Sequence, residues 1–132
     1  MYIIIVGCSE IGSRLAKSFS SGRDNVVVID KSRRALKNLG PGFNGRAVNA
    51  DGGDLGVLKE AGIESADVLV VLTPNENLNL VIAQAAKKIY NVKKTVVQIH
   101  NPQKEEVFKK KGIIMVNRTN LFLDEFKQCI LS

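Results

Sequence analysis

Gly7-Cys8-Ser9-Glu10-Ile11-Gly12 is the first group of residues whose types and spacing could do chemistry. It follows the apolar run Tyr2 to Val6 and opens a stretch of helical spacing. Its backbone N–H groups would therefore face a ligand from a helix start, where the helix dipole favours a phosphate. Gly7 permits the tight turn, and Gly12 permits close packing of helix on strand. Ser9 stands where such fingerprints carry their middle glycine, and its hydroxyl can donate to a phosphate oxygen.

Asp30 ends the second apolar run, eighteen positions after Gly12. A carboxylate there accepts hydrogen bonds from ribose hydroxyls and repels a 2′-phosphate, which disfavours NADP. Lys31 is expected beside it at the ligand, with Arg33 and Arg34 close behind to soften the repulsion. Asn49-Ala50-Asp51-Gly52-Gly53-Asp54 ends the third run and could bring Asp51 and Gly52 to an adenine amino group, while Asp54 reads as a helix N-cap. Thr73-Pro74-Asn75-Glu76 follows the fourth run and would form the other wall of the same crevice through Thr73 and Asn75. Pro74 and Asn75 also read as an ordinary helix start.

The single histidine, His100, has no partner at a recognisable spacing and reads as a loop residue rather than an acid-base catalyst. No nucleophile elbow, Walker lysine or paired-carboxylate motif accompanies it, and no residue is expected to be catalytic. A small NAD-dependent oxidoreductase, or its cofactor-binding half, is the alternative that the glycine turn and Asp30 leave open.

These loops need elements to hold them. Apolar runs of strand length occur at Tyr2 to Val6, Asn25 to Ile29, Ala47-Val48, Val68 to Leu72, Thr95 to Ile99 and Ile113 to Val116. Their lack of polar alternation is expected of parallel strands covered on both faces. Helical spacing lies between them, as in Ile11, Leu15 and Phe19 or Leu78, Ile82, Ala85, Ala86 and Ile89. Gly22, Gly40-Pro41-Gly42, Gly62 and Gly112 mark the helix ends. The pattern predicts an α/β fold: a Rossmann-type doubly wound parallel sheet of six strands, order 3-2-1-4-5-6, with helices on both faces and a C-terminal helix.

At 132 residues the chain reads as one domain, 1–132. Residues 120–132 form a last helix whose Phe122, Phe126, Cys129 and Ile130 share a face, with Leu121, Leu123 and Leu131 widening it. That helix is expected either to dock on the domain or to be shared across a dimer interface. Hydrophobic residues make up 45% and charged residues 24%, as in ordinary globular proteins, and no apolar run is long enough for a membrane helix. Met-Tyr-Ile-Ile-Ile-Val lacks the basic start of a signal peptide, so a cytoplasmic location is expected. The net charge of +6 comes from scattered residues, which argues against nucleic acid, and Lys109-Lys110-Lys111 reads as a helix end before Gly112. Cys8 and Cys129 match no metal or disulfide spacing and are expected as reduced thiols, Cys129 in a core or interface.

Taken together, the glycine turn, Asp30, Asn49 to Asp54, Leu58-Lys59-Glu60-Ala61-Gly62-Ile63, Ala66-Asp67 and Thr73 to Asn79 resemble the N-terminal nucleotide-binding domain of potassium-conductance regulators, the RCK, KTN or TrkA-N domains. The resemblance covers nearly the whole chain. It implies that Gly7, Ser9, Gly12 and Asp30 hold phosphates and ribose, that Asp51 contacts adenine, and that the loop at Thr73 closes the site. It implies NAD(H), AMP or ADP as ligand, a homo-oligomer (a dimer or larger ring), and a membrane potassium transporter or channel subunit as partner. The domain would then lie at the inner face of the membrane through that partner. Glu10 stands where some members carry an arginine near a terminal phosphate, which makes ATP the less favoured ligand. Members usually continue into a second ligand-binding domain.

Overall fold

The computed structural model describes residues 1–109 and 111–132, so the expectation for the Lys109-Lys110-Lys111 run falls in part, at Lys110, outside the described residues. The strands are β1 (Tyr2–Val6), β2 (Asn25–Asp30), β3 (Arg46–Asn49), β4 (Val68–Val71), β5 (Lys94–Ile99) and β6 (Ile114–Asn117). The helices are α1 (Glu10–Ser20), α2 (Arg33–Leu36), α3 (Leu55–Glu60), α4 (Glu76–Lys88), α5 (Glu105–Lys109) and α6 (Arg118–Leu131). All strand pairs are parallel and the order is β3-β2-β1-β4-β5-β6, the doubly wound topology that the alternation of runs and helical stretches implies.

Successive residues of β1 enter opposite cores. Ile4 and Val6 join Leu58, Leu80, Ile82 and Ala86 on one side, while Ile3 and Ile5 join Ala16, Leu39 and Leu72 on the other. A strand apolar at every position is what such a two-sided environment requires. The edge strands β3 and β6 keep most residues exposed or half-buried, because each has a neighbour on one side only.

Helix α1 differs from the stripe read from spacing. Its buried residues are Gly12, Ser13, Ala16 and Ser20, Leu15 and Phe19 are half-buried, and Ile11 is exposed. Small residues let the helix approach the sheet closely, so the larger apolar residues are displaced to its flank. On the same face of the sheet, Ile11, Leu15, Val70, Leu72, Val96 and Val116 line an apolar groove.

Helix α6 follows β6 with no intervening residue, since Asn117 both ends the strand and caps the helix. None of its residues is buried: Phe122 is 52%, Phe126 66% and Ile130 79% exposed. Cys129 is exposed on this helix, whereas Cys8 is buried, and both are free thiols. No described helix is long and apolar enough to cross a membrane.

Thr95 is fully buried on β5, and its hydroxyl has no hydrogen-bond partner among the described residues. A buried hydroxyl left unpaired costs about 1–3 kcal/mol. Thr95→Val is therefore expected to stabilise the domain by about 1 kcal/mol in urea unfolding, and a lower midpoint would show that the hydroxyl is satisfied.

Candidate functional site

The register of the sheet assembles the site. Val6 lies beside Ile29 on one side and Val71 on the other, and Asn49 lies beside Asp30. The loops after β1, β2, β3 and β4 thus leave the sheet at one edge, the carboxyl ends of parallel strands, where open α/β sheets hold ligands.

At the first loop, Gly7 has φ +113°, and a Cβ there would sit 2.9 Å from the carbonyl carbon and oxygen of Leu72. A Cβ on Gly12 would sit 2.1 Å from the Gly7 carbonyl oxygen. The turn, the start of α1 and the end of β4 are packed backbone to backbone, which side chains would prevent. Ser9 is the N-cap of α1, and its Oγ accepts the Gly12 N–H at 3.3 Å, leaving the hydroxyl proton available to a ligand. The Cys8 N–H is donated to Asp30 and the Ser13 N–H to the Ser9 carbonyl. The N–H groups of Ser9, Glu10 and Ile11 find no acceptor among the described residues, which leaves three donors at the positive end of the helix.

The side chains of this turn diverge. Burial, reinforced by the charge of Asp30, pushes the Cys8 thiol up and keeps it protonated. Glu10 reaches into solvent and pairs with Arg14 at 3.1 Å, with both side chains mostly exposed. Ile11 turns to the opposite side and lines the apolar groove.

Asp30 joins the first two loops. One carboxylate oxygen accepts the Cys8 N–H at 2.8 Å, and the other accepts the Ser32 N–H at 2.8 Å. Each oxygen keeps a second lone pair, so the carboxylate can still accept two ligand hydroxyls while its position is fixed from behind. In the third loop Asp51 accepts the Gly53 N–H at 2.8 Å, and Asp54 caps α3 through the Gly56 N–H at 2.8 Å. Gly52 is buried against Val6, whose Cγ1 would lie 2.4 Å from a Cβ.

The fourth loop is braced by Asn79, which is 1% exposed on α4. Its Oδ1 accepts the Thr73 N–H at 3.1 Å, and its Nδ2 donates to the carbonyls of Thr73 at 2.9 Å and Gln98 at 3.2 Å. Asn75 caps α4 by accepting the Leu78 N–H at 3.1 Å. Glu76 accepts the N–H groups of Asn101 at 2.9 Å and His100 at 3.0 Å, tying the loop after β5 to the start of α4.

A crevice of about 260 Å³ opens between these loops, lined by Val6, Gly7, Ile29, Asp30, Lys31, Asp51, Gly52, Thr73, Pro74, Asn75 and Leu78. Of the residues singled out from sequence, it brings together Gly7, Asp30, Lys31, Asp51, Gly52, Thr73 and Asn75. Cys8, Ser9, Glu10, Ile11 and Gly12 are not in its lining; Ser9, Glu10 and Ile11 can reach a ligand through main-chain N–H groups. Val6, Ile29 and Leu78 add an apolar part to the lining that the sequence reading did not assign to the ligand: the first two are the last apolar residues before Gly7 and Asp30, and Leu78 lies in the Thr73 to Asn79 string without a stated role. Asn79 closes the Thr73 to Asn79 string of the resemblance, but the sequence reading gave it no role; its signal is a polar residue within an apolar stretch of α4. The arrangement offers carboxylate acceptors for hydroxyl or amino groups, a flat apolar floor for a ring, and N–H donors for an anion. Those groups fit the parts of an adenine nucleotide.

The hydrogen bonds from Asn101 and then His100 hold the Glu76 carboxyl below the usual carboxylate range. A lowered folded-state value stabilises the fold while the group is ionised, and that contribution is lost as pH falls through the lowered value. Glu76→Gln is expected to unfold at lower temperature than the native chain at neutral pH, with the gap closing on acidification below the carboxylate range. A gap that stays constant in thermal unfolding across that range would contradict the assignment.

Comparison with known proteins bears on the fold and the family. The chain is 32% identical over 131 residues to the Trk system potassium uptake protein TrkA of Streptomyces coelicolor, covering 99% of this chain and 59% of that protein. It spans about half the length of the curated relatives it matches. The crystal structure of the TrkA-N domain of the inner membrane protein YbaL from Escherichia coli superposes with a TM-score of 0.85 at 19% identity, over 97% of this chain and 95% of that one. The GsuK channel bound to NAD superposes with a TM-score of 0.73 at 16% identity, over 87% of this chain and 21% of that one. At such identities the two structures speak for the fold alone. The TrkA-N domain model matches residues 3–118, and the chain therefore belongs to the TrkA-N domain family.

Proposed function

We propose that this domain is a regulator that binds NAD(H), AMP or ADP in the crevice and thereby gates a membrane potassium transporter or channel from the cytoplasmic side. The observation that carries the reading is the Asp30 carboxylate, which lines the crevice and is tied through the Cys8 N–H to the turn whose next three N–H groups stand open at the start of α1. The carboxylate suits ribose and the N–H groups suit phosphate. Gly7, Ser9 and Gly12 shape the phosphate end, Asp30 and Lys31 the ribose, Asp51 and Gly52 the adenine, and Thr73 and Asn75 the facing wall. Glu10 would meet a γ-phosphate with like charge, so ATP is the weaker ligand. Membership of a family that includes potassium uptake proteins, and fold similarity to a channel that binds NAD, support the choice of partner. His100, the one candidate for oxidoreductase acid-base work, is exposed and does not line the crevice, which favours a sensor.

A second copy of the chain belongs to this reading. The half-open sheet face at Ile11, Val70, Val96 and Val116 is apolar, and parallel sheets are covered on both faces. Helix α6 carries a matching apolar surface, but with no connecting residue after β6 it does not fold back onto its own sheet. Exchange of α6 between two copies would cover both surfaces.

In thermal-shift and calorimetric titrations, NAD, AMP or ADP is expected to stabilise the native chain. Asp30→Ala is expected to lose about 1.5–3 kcal/mol of binding, roughly ten- to a hundredfold. Stabilisation by none of them would sink the reading. In sedimentation, the native chain is expected as a dimer or larger and the double variant Phe122→Glu/Phe126→Glu as a monomer; a monomeric native chain would refute the exchange.

A further inference from the structure

All four hydrogen-bonding positions of the Asn79 amide are used. Its Oδ1 takes both the N–H and the hydroxyl of Thr73, and its Nδ2 gives its two protons to the carbonyls of Thr73 and Gln98. The partners settle which end is which, because two carbonyls demand donors and an N–H demands an acceptor. A hydroxyl has one proton and two lone pairs. The proton of Thr73 goes to Asn79, with the Asn75 carbonyl at 3.3 Å as the only other acceptor in reach among the described residues. One lone pair accepts the Asn75 N–H at 3.2 Å. A single lone pair remains, and Thr73 lines the crevice.

We propose that Asn79 is a positioning residue that commits the Thr73 hydroxyl to accepting, so that this wall selects a ligand hydroxyl, amino or amide N–H and rejects a phosphate oxygen. The inference rests on the nucleotide reading and deepens it. Asp30 and Asp51 also accept, so three acceptors surround the floor formed by Val6, Ile29 and Leu78. The open N–H groups at the start of α1, with the Lys31 side chain beside Asp30, are then the groups left for an anion. A nucleotide is oriented with its nucleoside toward Thr73 and its phosphate toward the glycine turn, and the reversed pose would set phosphate oxygens against lone pairs.

The test measures binding of NAD, AMP, 2′-deoxy-AMP, 3′-deoxy-AMP, inosine monophosphate, nicotinic acid adenine dinucleotide and pyrophosphate to the native chain, Thr73→Val and Thr73→Ser. Each nucleotide analogue lacks one donor of its parent. Thr73→Val is expected to weaken AMP or NAD about tenfold, to leave the analogue lacking the recognised donor and pyrophosphate unchanged, and Thr73→Ser is expected to restore affinity to within about threefold. Asn79→Leu is expected to show the same ligand-selective loss, non-additive with Thr73→Val. Should it fail to fold, Asn79→Ser, too short to reach the Thr73 hydroxyl, is read in its place. Equal weakening of every probe by Thr73→Val, pyrophosphate included, or no weakening at all, would overturn the proposal. So would Asn79 variants that keep the native discrimination. A native chain that binds no nucleotide would instead sink the reading on which the proposal stands.

Discussion

The contact on which the rest depends is made by atoms that are absent. Where Gly12 meets the Gly7 carbonyl and Gly7 meets the end of β4, there is no room for a Cβ. Close approach of three backbones places the start of α1 over the edge of the sheet and beside the loop that begins at Leu72. Any side chain at Gly12 would lift the helix from the strand and separate its N–H groups from the carboxylates on the neighbouring loops. The small buried residues that continue along α1, Ser13, Ala16 and Ser20, extend this close contact down the helix.

Polarity within the site follows from what each group is already bound to. Asp30 is held by the Cys8 and Ser32 N–H groups, Asp51 by the Gly53 N–H, and Thr73 by Asn79. Main-chain N–H donors behind the two carboxylates, and the Asn79 oxygen that takes the Thr73 proton, pin these groups without exhausting their lone pairs. The same turn that satisfies Asp30 leaves the next three N–H groups open, so acceptors line the crevice at Asp30, Asp51 and Thr73 while N–H donors lie beyond its lining at the start of α1, and Lys31 lines it beside Asp30. Such segregation sets an orientation for a ligand that carries hydroxyls at one end and an anion at the other.

On the other face of the sheet the fold is unfinished in a regular way. Among the described residues, six exposed large apolar side chains lie on α6, and exposed Ile11 and Val116 line the groove beside half-buried Val96. Ile11 belongs to the glycine turn, so the groove adjoins the turn whose first residue, Gly7, lines the crevice. Packed elements with two discrete arrangements transmit such contact more readily than a continuously deformable one. Under the proposed exchange of α6, that adjacency would connect the ligand with the assembly.

Local chemistry made much of the molecule legible in its sequence. Uniformly apolar runs separated by helical spacing determined six parallel strands and their order, since covered strands and right-handed crossovers leave few topologies. Gly7, Asp30, Asp51 and Thr73 were legible because each ends or closely follows a strand, where register alone carries it to one edge. Spacing could not tell that α1 packs through Gly12, Ser13 and Ala16 rather than Ile11 and Leu15, because the buried face of a helix is chosen by how closely its neighbour approaches. Nor could it show that α6 stands clear of its own sheet, or that Asn79 is the brace of the Thr73 loop. Those outcomes depend on what lies across each contact: spacing along the chain is enough to bring Gly7, Asp30, Asp51 and Thr73 to one edge, whereas the lone pairs left free there depend on partners that folding brings together, such as the Cys8 N–H for Asp30 and the Gln98 carbonyl for Asn79.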